Sequence, residues 1–332
     1  MAFAACLGWT VPPFALADAP GVSLPDEDSP FLRQRSEHVL DAIFGLPVVA
    51  SRARSSGRWE LSLEQGNSFM GGVEGDERVV LDGESGELAL RHLRRLGRCW
   101  HAEASLPIVF HHGGWADRAI DDWHRFFGLP DAQRDSAPAF DLRYEWGARD
   151  GPRALEREAA GLGDVQLALQ RPLRCTEGGE ARGGTLARVG VKLPSGDPER
   201  LLGSGATDLY ADLQSPIVAI APRWRFGAAI GVLATGRSEL VDAQRPLVGY
   251  GAFALSWAPH ARWRALAQLD WHTPFRDSEL RELGSFAASL AVGLRYRAGA
   301  TDELGLSISE DVVVDTAPDI VARLSWVRRT GR

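Results

Sequence analysis

From Arg58 to Trp326 the chain alternates apolar and polar residues in segment after segment. A period of two puts successive side chains on opposite faces of a strand, so each segment reads as a β-strand with one apolar and one polar face. In WELSLEQ, Trp59, Leu61 and Leu63 share one face and Glu60, Ser62 and Glu64 the other. CWHAEASLPIVF sets Trp100, Ala102, Ala104, Leu106, Ile108 and Phe110 against His101, Glu103 and Ser105. DVQLALQ, LARVGVKL, RWRFGAAIGVL, GAFALSW, RWRALAQLDW, SFAASLAVGLRYR, ELGLSIS and DIVARLSW continue the pattern.

These segments predict twelve strands, at about 58–67, 78–94, 98–110, 163–173, 185–193, 207–217, 223–234, 248–258, 262–272, 285–297, 303–310 and 318–328. FDLRYEWGARDGPRALERE carries an Asp150-Gly151 turn signal and is expected to form a further hairpin, which would make fourteen if it entered a membrane. A soluble sandwich alternates too, so alternation alone does not choose the architecture. Length and spacing do. The segments run to about ten residues, enough for a tilted strand to cross the hydrocarbon core. Short connections at 219–222, 259–261 and 298–302 alternate with long ones at 235–247 and 273–284. The expected fold is an all-β, antiparallel up-and-down transmembrane barrel of twelve strands.

With the short turns assigned to the periplasm, Trp59, Trp100, Trp224, Trp257, Trp263, Tyr296 and Trp326 all fall at that end of their strands, on the apolar face. Aromatic residues gather there as an interfacial girdle. Trp271, one strand-length above Trp263, marks the opposite interface.

Composition narrows the class further. The 332-residue chain is 45% hydrophobic with a formal charge of -7 and no block of like charge, which argues against nucleic acid as a partner. No run of about 18 apolar residues follows the N-terminus, so no transmembrane helix is expected. Residues 1–17, MAFAACLGWTVPPFALA, end in Ala-Leu-Ala and read as a signal peptide cleaved before Asp18, although the usual basic residue near the start is missing. Cys99 and Cys175 are too far apart for a metal-binding CxxC, and a disulfide between them does not follow from sequence. The expected location is the outer membrane of a Gram-negative bacterium. Its lipid and the barrel assembly machinery are the expected partners of a monomer.

The stretch HHGGWADRAIDDWHRFFGLPDAQRD, residues 111–135, is the densest in chemistry. Ala119, Ile120, Trp123, Phe126 and Phe127 recur near helical spacing, and Gly128 and Pro130 end the pattern, so a short amphipathic helix over 115–127 is expected within a long loop, 111–161. His111, Gly113, Gly114, Asp117, Asp121, Trp123, His124 and Arg134 are the candidates for a constriction or plug. None of the tight His-rich zinc spacings is present, so neither a metal site nor a cofactor is expected. No strand His pairs with a Ser on the membrane-facing register, so no catalytic residue is named.

On the polar face, Arg188, Lys192, Arg223, Arg225, Arg262, Arg264, Arg295 and Arg297 are candidate pore-lining cations, and Glu60, Glu64, Asp212, Asp270 and Asp319 face the same interior. Two readings stay open: an electropositive lower lumen that favours anionic solutes, or an internal lattice of paired charges. KLPSGDPERLLGSGATDL lacks the Gly-Lys-Ser/Thr ending of a phosphate loop and reads as a turn-rich extracellular loop. The segment 18–57 would either plug the barrel from below or add a strand, and 58–328 forms the barrel.

Gly45-Leu46-Pro47, LDGE at 81–84, His111 with Gly113-Gly114 and Asp117, WHRFFGLP at 123–130, GLGDV at 161–165, and KLPSGD followed by LGSGATDL at 192–209 together resemble the outer-membrane barrel family catalogued as domain of unknown function 3187. The resemblance runs from about residue 30 to 328. It implies fold and location and carries no established activity. The chain departs from the pattern at its end, where RRTGR stands in place of a terminal aromatic residue. The function expected is a pore or transporter for a small solute, anionic under the first of those two readings; the alternatives are a lipid- or ester-cleaving barrel enzyme and a closed structural barrel.

Overall fold

The computed structural model describes residues 29–35, 37–52, 56–114, 142–175, 184–313 and 316–331. Its wall consists of β1 (Gly57–Glu74), β2 (Glu77–Arg95), β3 (His101–His112), β7 (Gln166–Pro172), β8 (Leu186–Lys192), β9 (Asp208–Gln214), β11 (Trp224–Ala234), β12 (Leu247–His260), β13 (Trp263–His272), β14 (Ala287–Arg297), β15 (Asp302–Asp311) and β16 (Ile320–Thr330). Each is antiparallel to its neighbours, and β1 closes the circle on β16 with Leu61 opposite Trp326 and Asn67 opposite Ile320. The result is a closed barrel of twelve strands, as the alternation predicts. Closure leaves no edge, so the strands can satisfy one another's backbone groups without water.

Four shorter strands decorate the wall: β4 (Arg143–Ala148), β5 (Arg153–Leu155), β6 (Ala159–Leu162) and β10 (Val218–Ala221). The hairpin expected at Asp150-Gly151 forms as β4–β5, but it adds to the projecting upper half of β2, with Glu77 opposite Ala148 and Asp82 opposite Arg143. With six residues in β4 it is too short to cross a bilayer, so the fourteen-strand alternative does not arise. The first strand also runs longer than expected. β1 and β2 stay paired up to Glu74 and Glu77, well beyond the residues that carry alternation. β6 continues the line of β7 on β3 across a break at 163–165, where the Gly163 N–H donates to the Pro107 carbonyl at 3.0 Å.

Inside and outside follow the pleat. Leu61 is 41% exposed and Trp59 39%, whereas Glu60 between them is 2% exposed and points into the lumen. The outer face is apolar all round, which is stable only against lipid. Trp59, Trp100, Trp224, Trp257, Trp263, Tyr296 and Trp326 ring the short-turn end, where Trp224 pairs across strands with Trp257 and Trp263 with Tyr296. Trp271 stacks on Phe286 at the other end, 5.9 Å between centroids. Eight residues from Trp263 to Trp271 span about 27 Å of strand, or roughly 21 Å of height at a tilt of ~40°, close to the apolar band of a barrel, about 25 Å. The helix expected over 115–127 lies outside the described residues.

At the short-turn end Cys99 and Cys175 form a disulfide, Cα–Cα 6.1 Å, closing 76 residues of chain. It ties the β2–β3 turn to the segment after β7, beside the ladder in which His101 faces Gln170. Replacing both cysteines by Ser is expected to cost about 2–4 kcal/mol. The temperature of the heat-modifiable gel shift should fall while the far-UV strand signal stays unchanged.

Candidate functional site

The lumen of this barrel is occupied by a segment of the chain that precedes the wall, described over residues 29–35 and 37–52. Residues 29–35 enter at the short-turn end. The Arg295 guanidinium donates to the carbonyls of Ser29 and Phe31, and the Leu32 N–H donates to Gln268 Oε1 at 2.9 Å. Gln34 exchanges hydrogen bonds with Ser307 and Ser309 on β15. The segment then rises to α1 (Val39–Ala42) at the long-loop end and turns back at Gly45, whose φ of +59° suits glycine. A Cβ there would also lie 2.8 Å from the Lys192 side chain. On the way down, Gly45 and Ser51 accept from Gln166 and Gln170 of β7. Arg52 fastens the exit to the carbonyls of Gly184, Gln214 and Ser215.

Two kinds of contact hold the segment. At the long-loop end they are apolar: Val39, Leu40, Ile43, Phe44 and Leu46 join Tyr144, Val248 and Phe275 in the largest buried cluster, with Phe44 stacked on Phe275 at 4.9 Å. Arg276 adds hydrogen bonds to the Leu40 carbonyl and to Asp41 at 2.7 Å. Burial would raise the Asp41 carboxyl, yet His38 and Arg276 beside it hold it well below the usual range. Its contribution is therefore present above the ordinary carboxylate range and is lost only in acid. In the lower half the apolar contacts are smaller, Phe31 and Val49 against Ala252 and Ala254 and Leu32 against Leu266 and Ala291, and polar and ionic contacts join them. Arg33 bridges Glu60 on β1 (3.1 Å) and Glu103 on β3 (2.6 Å), the two strands that flank β2.

The sequence-nominated cations divide by position. Arg188 and Lys192 are buried in the interior and paired, Arg188 with Asp212 at 2.6 Å. Arg295 holds the entering segment and faces Glu303 at 3.8 Å, and Arg264 and Arg297 are half-buried near the same end. Arg223 and Arg262 are exposed at the short turns instead of lining the pore, and Arg223 donates to the Pro259 carbonyl. Arg225, half-buried, donates to the carbonyl of Trp224. Alternation tells which face a side chain takes but not where the wall ends, which is why the turn arginines read as lumenal.

Of the loop candidates, His111, Gly113 and Gly114 are described; Asp117, Asp121, Trp123, His124 and Arg134 lie outside the described residues. His111 is buried, its Nδ1 2.9 Å from Ser85 Oγ and its Nε2 3.1 Å from the Leu201 carbonyl. Ser85 also meets the Tyr144 hydroxyl at 2.8 Å. The second ring nitrogen faces a carbonyl, so no carboxylate orients this Ser-His pair as a triad would require. Gly114 packs against Glu84, a fully buried carboxylate that accepts from Gln65 at 2.6 Å. Among the described residues no group of three or more His, Cys, Asp or Glu is arranged to hold a metal ion.

Above the β7–β9 wall, three glycine-rich motifs meet at Lys192. Its Nζ reaches Asp164 at 2.5 Å, Ser204 Oγ at 2.6 Å, the Ala206 carbonyl at 3.0 Å and Asp208 at 3.1 Å. Asp164 accepts in turn from the backbone N–H groups of Gly196 and Ser204. Sequence reasoning placed Lys192 on the lumenal face but missed this junction, because its partners lie in two other segments, around Asp164 and from Ser204 to Asp208.

A profile described as "Protein of unknown function (DUF3187)" matches residues 23–329. The chain belongs to the DUF3187 family. Its fold is similar to that of the COG4313 outer membrane channel from Pseudomonas putida F1, at 13% identity and a TM-score of 0.54, over 84% of this chain and 97% of that one. The NanC porin (9% identity, TM-score 0.44, 82% and 99% covered) and the KdgM porin (6%, 0.43, 82% and 99%) also match. No curated protein matches the sequence.

In this DUF3187 barrel the GLGDV, KLPSGD and LGSGATDL stretches thus share one structural task, holding the buried ammonium of Lys192. Lys192→Met would leave Asp164 and Asp208 without their cation, a loss of about 3–5 kcal/mol. Tryptophan fluorescence across a urea gradient in lipid vesicles should show the lower midpoint, and adding Asp164→Asn should recover part of it.

Proposed function

We propose that this chain is a channel of the Gram-negative outer membrane for a small solute, closed at rest by its own N-terminal segment. The apolar, tryptophan-ringed outer wall supports contact with membrane lipid. In this reading the short-turn end is periplasmic, residues 1–17 are a signal peptide, and the assembly machinery inserts the barrel as a monomer. The fold likeness to a solved outer-membrane channel fits this reading.

The observation that carries it is the manner in which the segment is held. Among the described residues, none of the backbone-to-backbone hydrogen bonds of 29–52 reaches the wall. A ladder would have made the segment a further strand. Side-chain contacts can instead be exchanged one at a time for water or solute, each at a modest net cost of about 1 kcal/mol for neutral pairs. Selectivity for anions, the other expectation, has less support, because Arg33, Arg188, Lys192 and Arg323 each already face a carboxylate.

The decisive experiment compares free and tethered segments in a planar bilayer. Cysteines replacing Gln34 and Ser309, whose side chains lie 2.9 Å apart, are bridged by a short bis-methanethiosulfonate in a Cys99→Ser, Cys175→Ser background. The untethered protein should give discrete openings, the tethered one silence, and reductant should restore them. Equal conductance with the tether in place would refute the plug as gate. Silence from an untethered barrel shown to be folded would favour the closed structural alternative.

A further inference from the structure

Between α1 and the wall of β1, β2, β3, β7 and β8 lies a cavity of about 160 Å³. A void near 150 Å³ is large enough for a benzene-sized group. Four cations line it, and each is committed. Arg35 donates to the Pro47 carbonyl, Arg91 to Glu87 and Ser62, Arg188 to Asp212, and Lys192 to Asp164. The acceptors are in the opposite condition. Glu37 Oε1 and Glu103 Oε2 are buried in this lining without a hydrogen-bond partner, and no other described side-chain atom of the lining is left so. Glu103 at least has Arg33 on its other oxygen; among the described residues Glu37 has no ion pair. A desolvated carboxylate without a partner is costly, and what relieves it is a donor, best a cation.

We propose that this cavity binds a small organic monocation, its ammonium group taken by Glu37 and Glu103 and its apolar body lying against Val39, Ile43 and Val109. As a solute site of the channel it rests on the reading above; as a binding site it stands on the cavity alone. The two unpartnered oxygens set the sign of the ligand's charge, and the aliphatic lining sets its apolar body. An anion would find each guanidinium and the ammonium of the lining already engaged by the protein's own acceptors.

The test titrates the refolded protein, in detergent micelles, with benzylammonium, and with benzoate and benzyl alcohol as probes of like shape, by isothermal calorimetry. Benzylammonium should bind, benzoate should not, and benzyl alcohol should bind at least tenfold more weakly. Glu37→Gln should weaken benzylammonium binding tenfold or more. Ile43→Trp, which fills the void without touching a charge, should abolish it, so the inference does not depend on one variant folding. Benzoate binding as well as benzylammonium, undiminished affinity in both variants, or no binding of any probe overturns it. Bilayer conductance separates the two readings: a channel that conducts but never binds benzylammonium refutes this inference alone, and one that binds it but never conducts refutes the channel alone.

Discussion

A strand in hydrocarbon has no water to satisfy its backbone, and the rest of this structure depends on that constraint. Only a closed ladder meets it, so β1 must find β16, and twelve strands must tilt and stagger until they do. Closure then fixes the chemistry of both faces. Everything on the outer register has to tolerate lipid, which is why leucine, valine and alanine fill it and aromatics mark its rim. Everything on the inner register is shut into a narrow space, where a charge persists only if something answers it.

The answer here is twofold. Wall residues pair with one another, as Arg188 does with Asp212 and Arg323 with Glu60 and Glu64. The N-terminal segment supplies the remainder, Arg33 reaching acids on two strands that do not touch each other. A lumen so dense in carboxylates could not be closed by an apolar plug. The segment is therefore a requirement of the wall's charges as well as an occupant of the lumen.

How much of this was legible follows from which forces act locally in sequence. Lipid imposes a period of two on every wall strand, so Leu61 and Glu60 reveal their faces at sight, and the tryptophans beside short turns reveal the interface. Those features gave the strand count and the closed architecture. Contacts that depend on closure left no such mark. Asp164, Ser204 and Asp208 converge on Lys192 only once β7, β8 and β9 are side by side. Cys99 and Cys175 meet only because β3 and β7 pair across 76 residues. EHVLDAIFGLPVV shows no strand period because its surroundings are set by the lumen, and its course could not be read from pattern. Arg223 and Arg262 were misplaced for a related reason, since alternation persists for a residue or two after the wall has ended.

The division of contacts along the segment says how it could move. At the long-loop end α1 is held by packed aliphatic and aromatic side chains, which forfeit burial as soon as they part. In the lower half the apolar patches around Phe31, Val49 and Leu32 are smaller and ionic or polar bonds stand beside them, and a buried ion pair adds little net stability over its hydrated parts as long as both partners are rehydrated together. Withdrawing Arg33 dry would strand Glu103, whereas withdrawing it as water enters would not; Glu60 keeps Arg58 and Arg323 in either case. Displacement should therefore start at the short-turn half and be inseparable from wetting of the lumen, with α1 as the hinge that stays. A solute cation near Glu103 would ease the same step, because it offers the carboxylate a replacement for the guanidinium that leaves.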